Sequence, residues 1–294
     1  MVKKAIGIRK FQKNILEIDM LSHAGPLIFV AAAIILAMSA IAINAQEVIA
    51  WRLSQPEVQQ IGDRVFENEC ASENKNLVAW NEGEDFMSLG IGHFIWHPIN
   101  GRDNFEESFI KFLEYARSSG EQIPAWLDIT PLPPCPWGSR SSFLSTQNDA
   151  RLTELHEFLI RTKSLQAAFI VKRLEDSLPF MLSSVPEAAQ VKIAARFHRV
   201  ASAPSGIYAL ADYVNFKGLG ISPAEKYQGK GWGLLQVLEG MGDQNEEQDV
   251  VEEFVRSANT VLNERVRNSP PGRNEQRWMP GWQNRINSYI NKEK

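Results

Sequence analysis

The chain has 294 residues, of which 44% are hydrophobic and 22% charged. These are globular values and exclude wholesale disorder, collagen-like repeats and coiled-coil arrays. With 31 Lys and Arg against 35 Asp and Glu the formal net charge is -4, so no global basic field exists and no nucleic-acid partner is expected. Two cysteines are too few for a disulfide-dense scaffold or a four-thiolate zinc site, but they suffice for one bridge.

Lys3, Lys4, Arg9, Lys10 and Lys13 precede a stretch from Leu21 to Gln46 that holds no Lys, Arg, Asp or Glu. As a helix its apolar part, residues 26–45, would be about 30 Å long, the thickness of a bilayer core. The basic residues in front predict an N-terminus left in the cytoplasm and the remainder exported. Ala40, Ala42 and Ala45 also suit a signal peptidase. Cleaved signal and uncleaved membrane anchor both remain open. In either case residues 1–45 are read as export machinery and residues 46–294 as the working domain. That domain would be periplasmic, or anchored in the cytoplasmic membrane facing outward. It keeps 26 of the 31 basic and 33 of the 35 acidic side chains, so it is mildly acidic. Export makes a Cys70–Cys135 disulfide permissible, worth roughly 4 kcal/mol for a loop of that size.

Ser54-Gln55-Pro56-Glu57 reads as a capping box. Val58, Ile61, Val65 and Phe66 then recur at helical spacing, so a helix runs toward Glu67-Asn68-Glu69-Cys70. Leu77–Trp80 and Met87–Ile91 are short apolar runs with Asn81–Asp85 between them, which predicts a hairpin. Asn104 is read as the cap of a helix burying Phe105, Phe109, Phe112, Leu113 and Ala116. Pro131, Pro133, Pro134 and Pro136 make an extended loop around Cys135. From about Asn148 the pattern is mostly helical, with Leu152, Leu155, Phe158 and Leu159 in one stripe and Ala188, Val191, Ile193, Ala194 and Phe197 in another. Asp243–Asp249 reads as a solvated acidic loop, and the last helices span roughly Val250–Val266 and Asn274–Tyr289. The expected class is therefore α+β, predominantly α-helical, with one small β-hairpin.

Between positions 67 and 96 lie Glu67, Glu69, Glu73, Glu82, Glu84 and Asp85, around Trp80 and the run Gly90-Ile91-Gly92-His93. Cleavage of a glycosidic bond needs a proton donor and a second group that places water or supports the developing cation. A Glu at an apolar helix end can be held neutral by desolvation, whereas a carboxylate on a wet hairpin stays ionised. Glu69 is the candidate acid. Glu67, two residues earlier, points elsewhere.

Ser88-Leu89-Gly90-Ile91-Gly92-His93 resembles the hairpin signature of phage-type lysozymes and endolysins, in the lysozyme-like superfamily. That family ends a helix on a catalytic Glu, follows it with a hairpin bearing an acidic and a hydroxyl residue, and closes the hairpin with a Gly-Ile-Gly-His type run. By position the resemblance assigns the acid to Glu69 and the hairpin carboxylate to Glu82, with Asp85 second, and it puts Ser88 where the family has Thr. Gly231-Trp232-Gly233-Leu234-Leu235-Gln236 is similar to the Gly-Leu-Met-Gln type segment of goose-type lysozymes and lytic transglycosylases. Pro280-Gly281-Trp282-Gln283-Asn284-Arg285 is similar to the closing helix of endolysins. The specific match covers about a tenth of the chain. Glu69 lies further from the hairpin hydroxyl than is usual in the family, which implies a longer intervening loop and leaves open whether water or the sugar's own hydroxyl attacks.

The resemblance implies a glycosidase for peptidoglycan or a related polysaccharide, with no cofactor. The rivals are a lytic transglycosylase and a wall-binding module that does not cut. Trp80 is a candidate sugar platform, and His93 a residue that ties the hairpin to the helical body. Tyr208, Asn215, Tyr227 and Gln236 are placed on the opposite wall of a cleft, where glycines permit close approach and amides suit sugar hydroxyls. His97 and His156 have no metal-like company, so no metal is expected.

Overall fold

The computed structural model describes residues 53–99, 101, 106–146, 148–242 and 249–290. The export segment, the Asn104 cap with Phe105, and positions 243–248 of the acidic loop lie outside the described residues. Among the described residues no helix is long and apolar enough to cross a membrane.

Helix α1 (Gln55–Cys70) starts where the sequence predicts, with Pro56 in the first turn. The carboxylate of Glu57 accepts hydrogen bonds from the Ser54 backbone amide and hydroxyl, both at 2.7 Å, which satisfies a donor that helix geometry orphans. Ile61, Val65, Phe66 and Cys70 form the buried face. Ala71 then stops the helix in the left-handed conformation at φ 50°. Next come β1 (Val78–Ala79), β2 (Met87–Leu89) and β3 (Phe94–Trp96), one antiparallel sheet in that order. Val78 pairs with Leu89, and Met87 with Trp96. The hairpin expected from the sequence is thus a three-stranded meander. Gly90-Ile91-Gly92-His93 is the tight turn from β2 into β3 rather than the end of a strand.

Gly90 of that turn is there for both space and conformation. Gly90 has φ 71°, and a Cβ on it would stand 2.3 Å from Gln166 Oε1. Gln166 is fully buried and receives the Ile91 amide at 2.8 Å while donating to Leu159 O and Thr162 Oγ1. The sheet is thereby fastened to the helices behind it.

α2 (Ser108–Ser118) buries Phe109, Phe112, Leu113 and Ala116 against β3, with Phe94 and Phe112 stacked at 5.1 Å and Trp96 on Phe109 at 5.3 Å. A proline-rich loop leads to α3 (Arg140–Ser145), α4 (Ala150–Arg161), α5 (Lys163–Ser183) and α6 (Glu187–Ala201). α1 packs chiefly on α5, where Gly62 sits so close to Ala167 that a Cβ would approach its methyl to 2.5 Å. In α6 the buried face is Ile193, Arg196, Phe197 and Val200, and Val191, expected in the core, is 79% exposed. α7 (Gly206–Lys217) is the central helix, touching α5, α6 and α8 (Leu234–Gly240) and burying nine of its 12 residues. A two-stranded ribbon, β4 (Lys226–Tyr227) with β5 (Lys230–Gly231), precedes α8. α9 (Val250–Asn268) and α10 (Met279–Asn287) close the domain. The chain is mostly helical with a small antiparallel sheet, which is the expected α+β class.

The disulfide is not formed: Cys70 and Cys135 are both free and buried. The sulfur of Cys135 packs on Met87 Sδ at 3.2 Å, whereas that of Cys70 lies 3.8 Å from Gly90 O. Met87 and Gly90 are three residues apart along an extended chain, roughly 10 Å. The two thiols therefore sit at opposite ends of β2, too far apart to bridge.

Candidate functional site: a buried charge network at the end of helix α1

Glu69 occupies the last turn of α1, and its side chain is only 12% exposed. Three elements converge on it. From α10, Arg285 Nη2 donates to Glu69 Oε1 at 2.6 Å. From α7, Asn215 Nδ2 donates to the same oxygen at 3.0 Å. From the β2–β3 turn, His93 Nδ1 faces Glu69 Oε2 at 3.2 Å. His93 reaches this place with φ 46°, a left-handed conformation that turns its ring back toward the helix end.

Arg285 is itself shared. Its Nε and Nη2 donate to Asp212 Oδ2 and Oδ1, both at 2.8 Å, in a two-pronged pair. Asp212 is completely buried in α7 and also receives Tyr289 OH at 2.6 Å and Asn68 Nδ2 at 3.3 Å. Asn68 donates to Tyr208 OH at 2.6 Å as well. Helical spacing explains the grouping. Tyr208, Asp212 and Asn215 recur on one face of α7, and Arg285, in the last turn of α10, lies four residues before Tyr289 in the turn that follows.

Charge sets the protonation states. Burial alone would raise the Glu69 carboxyl, but the guanidinium of Arg285 and the imidazole of His93 outweigh it and hold the group well below the usual carboxylate range. Burial alone would lower His93. Its hydrogen bonds to Cys70 and Glu69 outweigh that and push the imidazole up to about 10. The resting site is therefore a carboxylate between two cations. Desolvation at the helix end acts in the direction expected from the sequence, but the neutral acid expected there is not present, because two cationic partners were not anticipated.

Lys217, at the end of α7, is also buried. Its amine lies 3.6 Å from the Trp282 ring centroid and 3.8 Å from that of Phe216. Burial, with Arg265 and Arg285 nearby, holds that amine well below its ordinary value.

The other expected residues are placed elsewhere. Glu82 and Asp85 are exposed on the β1–β2 turn, whereas Glu69 is bonded by Arg285, Asn215 and His93. Ser88 is buried in β2, with its hydroxyl 3.5 Å from Glu84 Oε2. Trp80 is buried too and donates its indole N–H to Glu84 O at 2.8 Å. Together Trp80, Glu84 and Asp85 line a cleft of about 290 Å³ whose other wall is Gly138–Ser141. Tyr227 donates to Glu275 at 2.8 Å, and that carboxylate is held bidentately by Arg265. Gln236 knits two loops by accepting from Gly233 N at 3.0 Å and donating to Gly220 O at 3.3 Å. Of the expected far wall, then, Asn215 and Tyr208 belong to the Glu69 network, whereas Tyr227 and Gln236 stabilise the loops beyond it.

Sequence reasoning quoted Arg285 in the motif similar to the closing helix of endolysins, but gave Arg285, Asp212, Asn68 and Tyr289 no place in the site. A further signal was present: Asp212 is an acidic residue inside the apolar run of α7, and such a residue is rarely buried without a partner. Among the described residues no group of three or more His, Cys, Asp or Glu side chains is placed to hold a metal ion. No protein-family model, curated protein or solved structure matches the chain.

Proposed function

We propose that the chain is an exported, lysozyme-like glycosidase that cuts the glycan strands of bacterial peptidoglycan, with Glu69 at its centre. The observation that supports this reading is the meeting of Glu69, at the end of a helix, with His93, from the Gly-Ile-Gly-His turn of a small sheet, at 3.2 Å. That is the juxtaposition to which the sequence resemblance points. Asn215, Asn68 and Tyr208 add amide and hydroxyl groups beside it, suited to saccharide hydroxyls.

The ionised state of Glu69 shapes the mechanism. As a carboxylate it is ready to support an oxocarbenium-like centre or to orient water. To act as the acid it has to take up a proton after a glycan enters. A bound strand that excludes water and draws Arg285 away from Glu69, leaving it on Asp212, would raise the Glu69 pKa in the required direction. In this reading Glu82 or Asp85 assists from the exposed turn. The export step rests on residues 1–45, read as a cleaved signal or an anchor through residues 26–45.

A second reading is favoured by the same ion pairs. A carboxylate with three bonded partners is also what a wall-binding module that does not cut would contain. Purified full-length chain incubated with bacterial sacculi separates the possibilities by the masses of what is released. Hydrolysis gives reducing muropeptides carrying an added water, transglycosylation gives anhydro-sugars, and a binding module pellets with the sacculi and releases nothing soluble.

A further inference from the structure

Beside Glu69 the cations outnumber the carboxylates that pair with them. Arg285 is shared between Glu69 and Asp212, and Arg265 is held bidentately by Glu275. Lys217 differs: among the described residues no carboxylate or other acceptor is bonded to its amine. The residue is only 9% exposed. Its amine lies 3.6 Å from the Trp282 ring centroid and 3.8 Å from that of Phe216. Aromatic faces attract a cation but accept no strong hydrogen bond, and a buried ammonium without an acceptor is costly. The same two rings carry the neighbouring cations. Arg265 Cζ is 4.9 Å from the Trp282 centroid, and Arg285 Cζ is 4.3 Å from that of Phe216. Both guanidinium groups repel a charge on Lys217, while Glu275 and Glu69 offset it only from a distance. A nine-tenths buried donor without an acceptor, in a surplus of positive charge, is arranged to receive an anion. The aromatic wall also runs out to solvent. Phe216 and Trp282 are half-buried, and Trp278, with its ring 6.0 Å from that of Trp282, is exposed.

We propose that Lys217, with Phe216 and Trp282, forms an anion subsite next to Glu69 that takes a free carboxylate carried by the glycan strand. In peptidoglycan the stem peptides supply that group, whereas an uncharged chitin chain has none. The carboxylate provides the acceptor that the amine lacks and a counter-charge for the arginines beside it. The subsite therefore selects acidic wall strands over neutral polysaccharides. Its ligand is named on the strength of the glycan-cleaving reading, but binding can be measured without cleavage.

The test titrates the full-length chain, by calorimetry at low salt, with a soluble disaccharide–tetrapeptide and with the same compound after its carboxyls are converted to amides. The parent is expected to bind the free acid at least on the order of tenfold more tightly than the amide. Lys217→Met keeps the length of the side chain and removes the buried amine, so it should bind both compounds at the amide's level with the circular dichroism spectrum unchanged. If that variant does not fold, the ratio of the two affinities in the parent decides alone. Equal affinities in the parent, an unchanged ratio in folded Lys217→Met, or no binding of the acid by the folded parent would overturn the proposal. Sacculus digestion keeps the two ideas apart. A parent that prefers the acid but releases nothing retains the subsite and loses the glycosidase, and one that releases muropeptides without that preference loses the subsite alone.

Discussion

Arg285 holds Glu69 at 2.6 Å across the domain, joining its last helix to its first described one. The same guanidinium neutralises Asp212, which is fully buried. Removing it would leave an uncompensated buried carboxylate, a loss of about 3–5 kcal/mol for a broken buried pair. Arg285→Met is therefore expected to lower the melting temperature by roughly 10 °C in a domain of this size. Differential scanning calorimetry checks it, and a loss below about 1 kcal/mol would show that the network carries little stability.

The network also gives the protein a pH signature. The raised His93 contributes stability that is complete below its ordinary value of 6.5 and is lost as pH rises toward about 10. The depressed Glu69 contributes stability that is complete above its ordinary value of 4.5 and is lost as pH falls below it. Melting temperature should peak between those limits and decline from neutral toward pH 10. In His93→Gln the alkaline part of that decline should be shallower than in the parent. Parallel curves for parent and variant above pH 7 would remove His93 from the account.

Because the cysteines are unpaired at opposite ends of β2, reductant should leave the melting temperature unchanged. A thiol assay in denaturant without reductant should count two free groups per chain. A count near zero, with a lower melting temperature on reduction, would restore the disulfide.

Much of the architecture was legible in local pattern. The capping residues Ser54 and Glu57, the run ending at Cys70, and the strands on either side of Asn81–Asp85 all lie where periodicity and turn chemistry place them. These signals are short-range, and a few neighbouring residues decide each. β3 was missed because Phe94–Trp96 is a three-residue strand without polar alternation, recognisable only once Gly90 and Gly92 are known to turn the chain. The site was legible in part. Glu69 and His93 meet because the helix end and the glycine turn are local features, whereas Asn215, expected on the opposite wall of a cleft, donates directly to Glu69. Arg285 was not placed beside Glu69, since 216 positions separate the two and only the tertiary fold brings them together. The protonation state of Glu69 went the same way, because burial is visible in apolar pattern and a distant cation is not. The expected bridge failed for a related reason: export makes a disulfide chemically permissible but does not bring two sulfurs together.

The measurement that bears most directly on the central claim is the rate at which full-length parent and Glu69→Gln proteins release soluble muropeptides from purified sacculi. The substitution keeps the size of the side chain but removes both its charge and its proton, so sacculus binding should persist. The account predicts that release by the parent is readily detected and that Glu69→Gln loses it by about a hundredfold or more, the usual scale for a positioned acid or base. Equal release by the two proteins, or none by the folded parent, would contradict it.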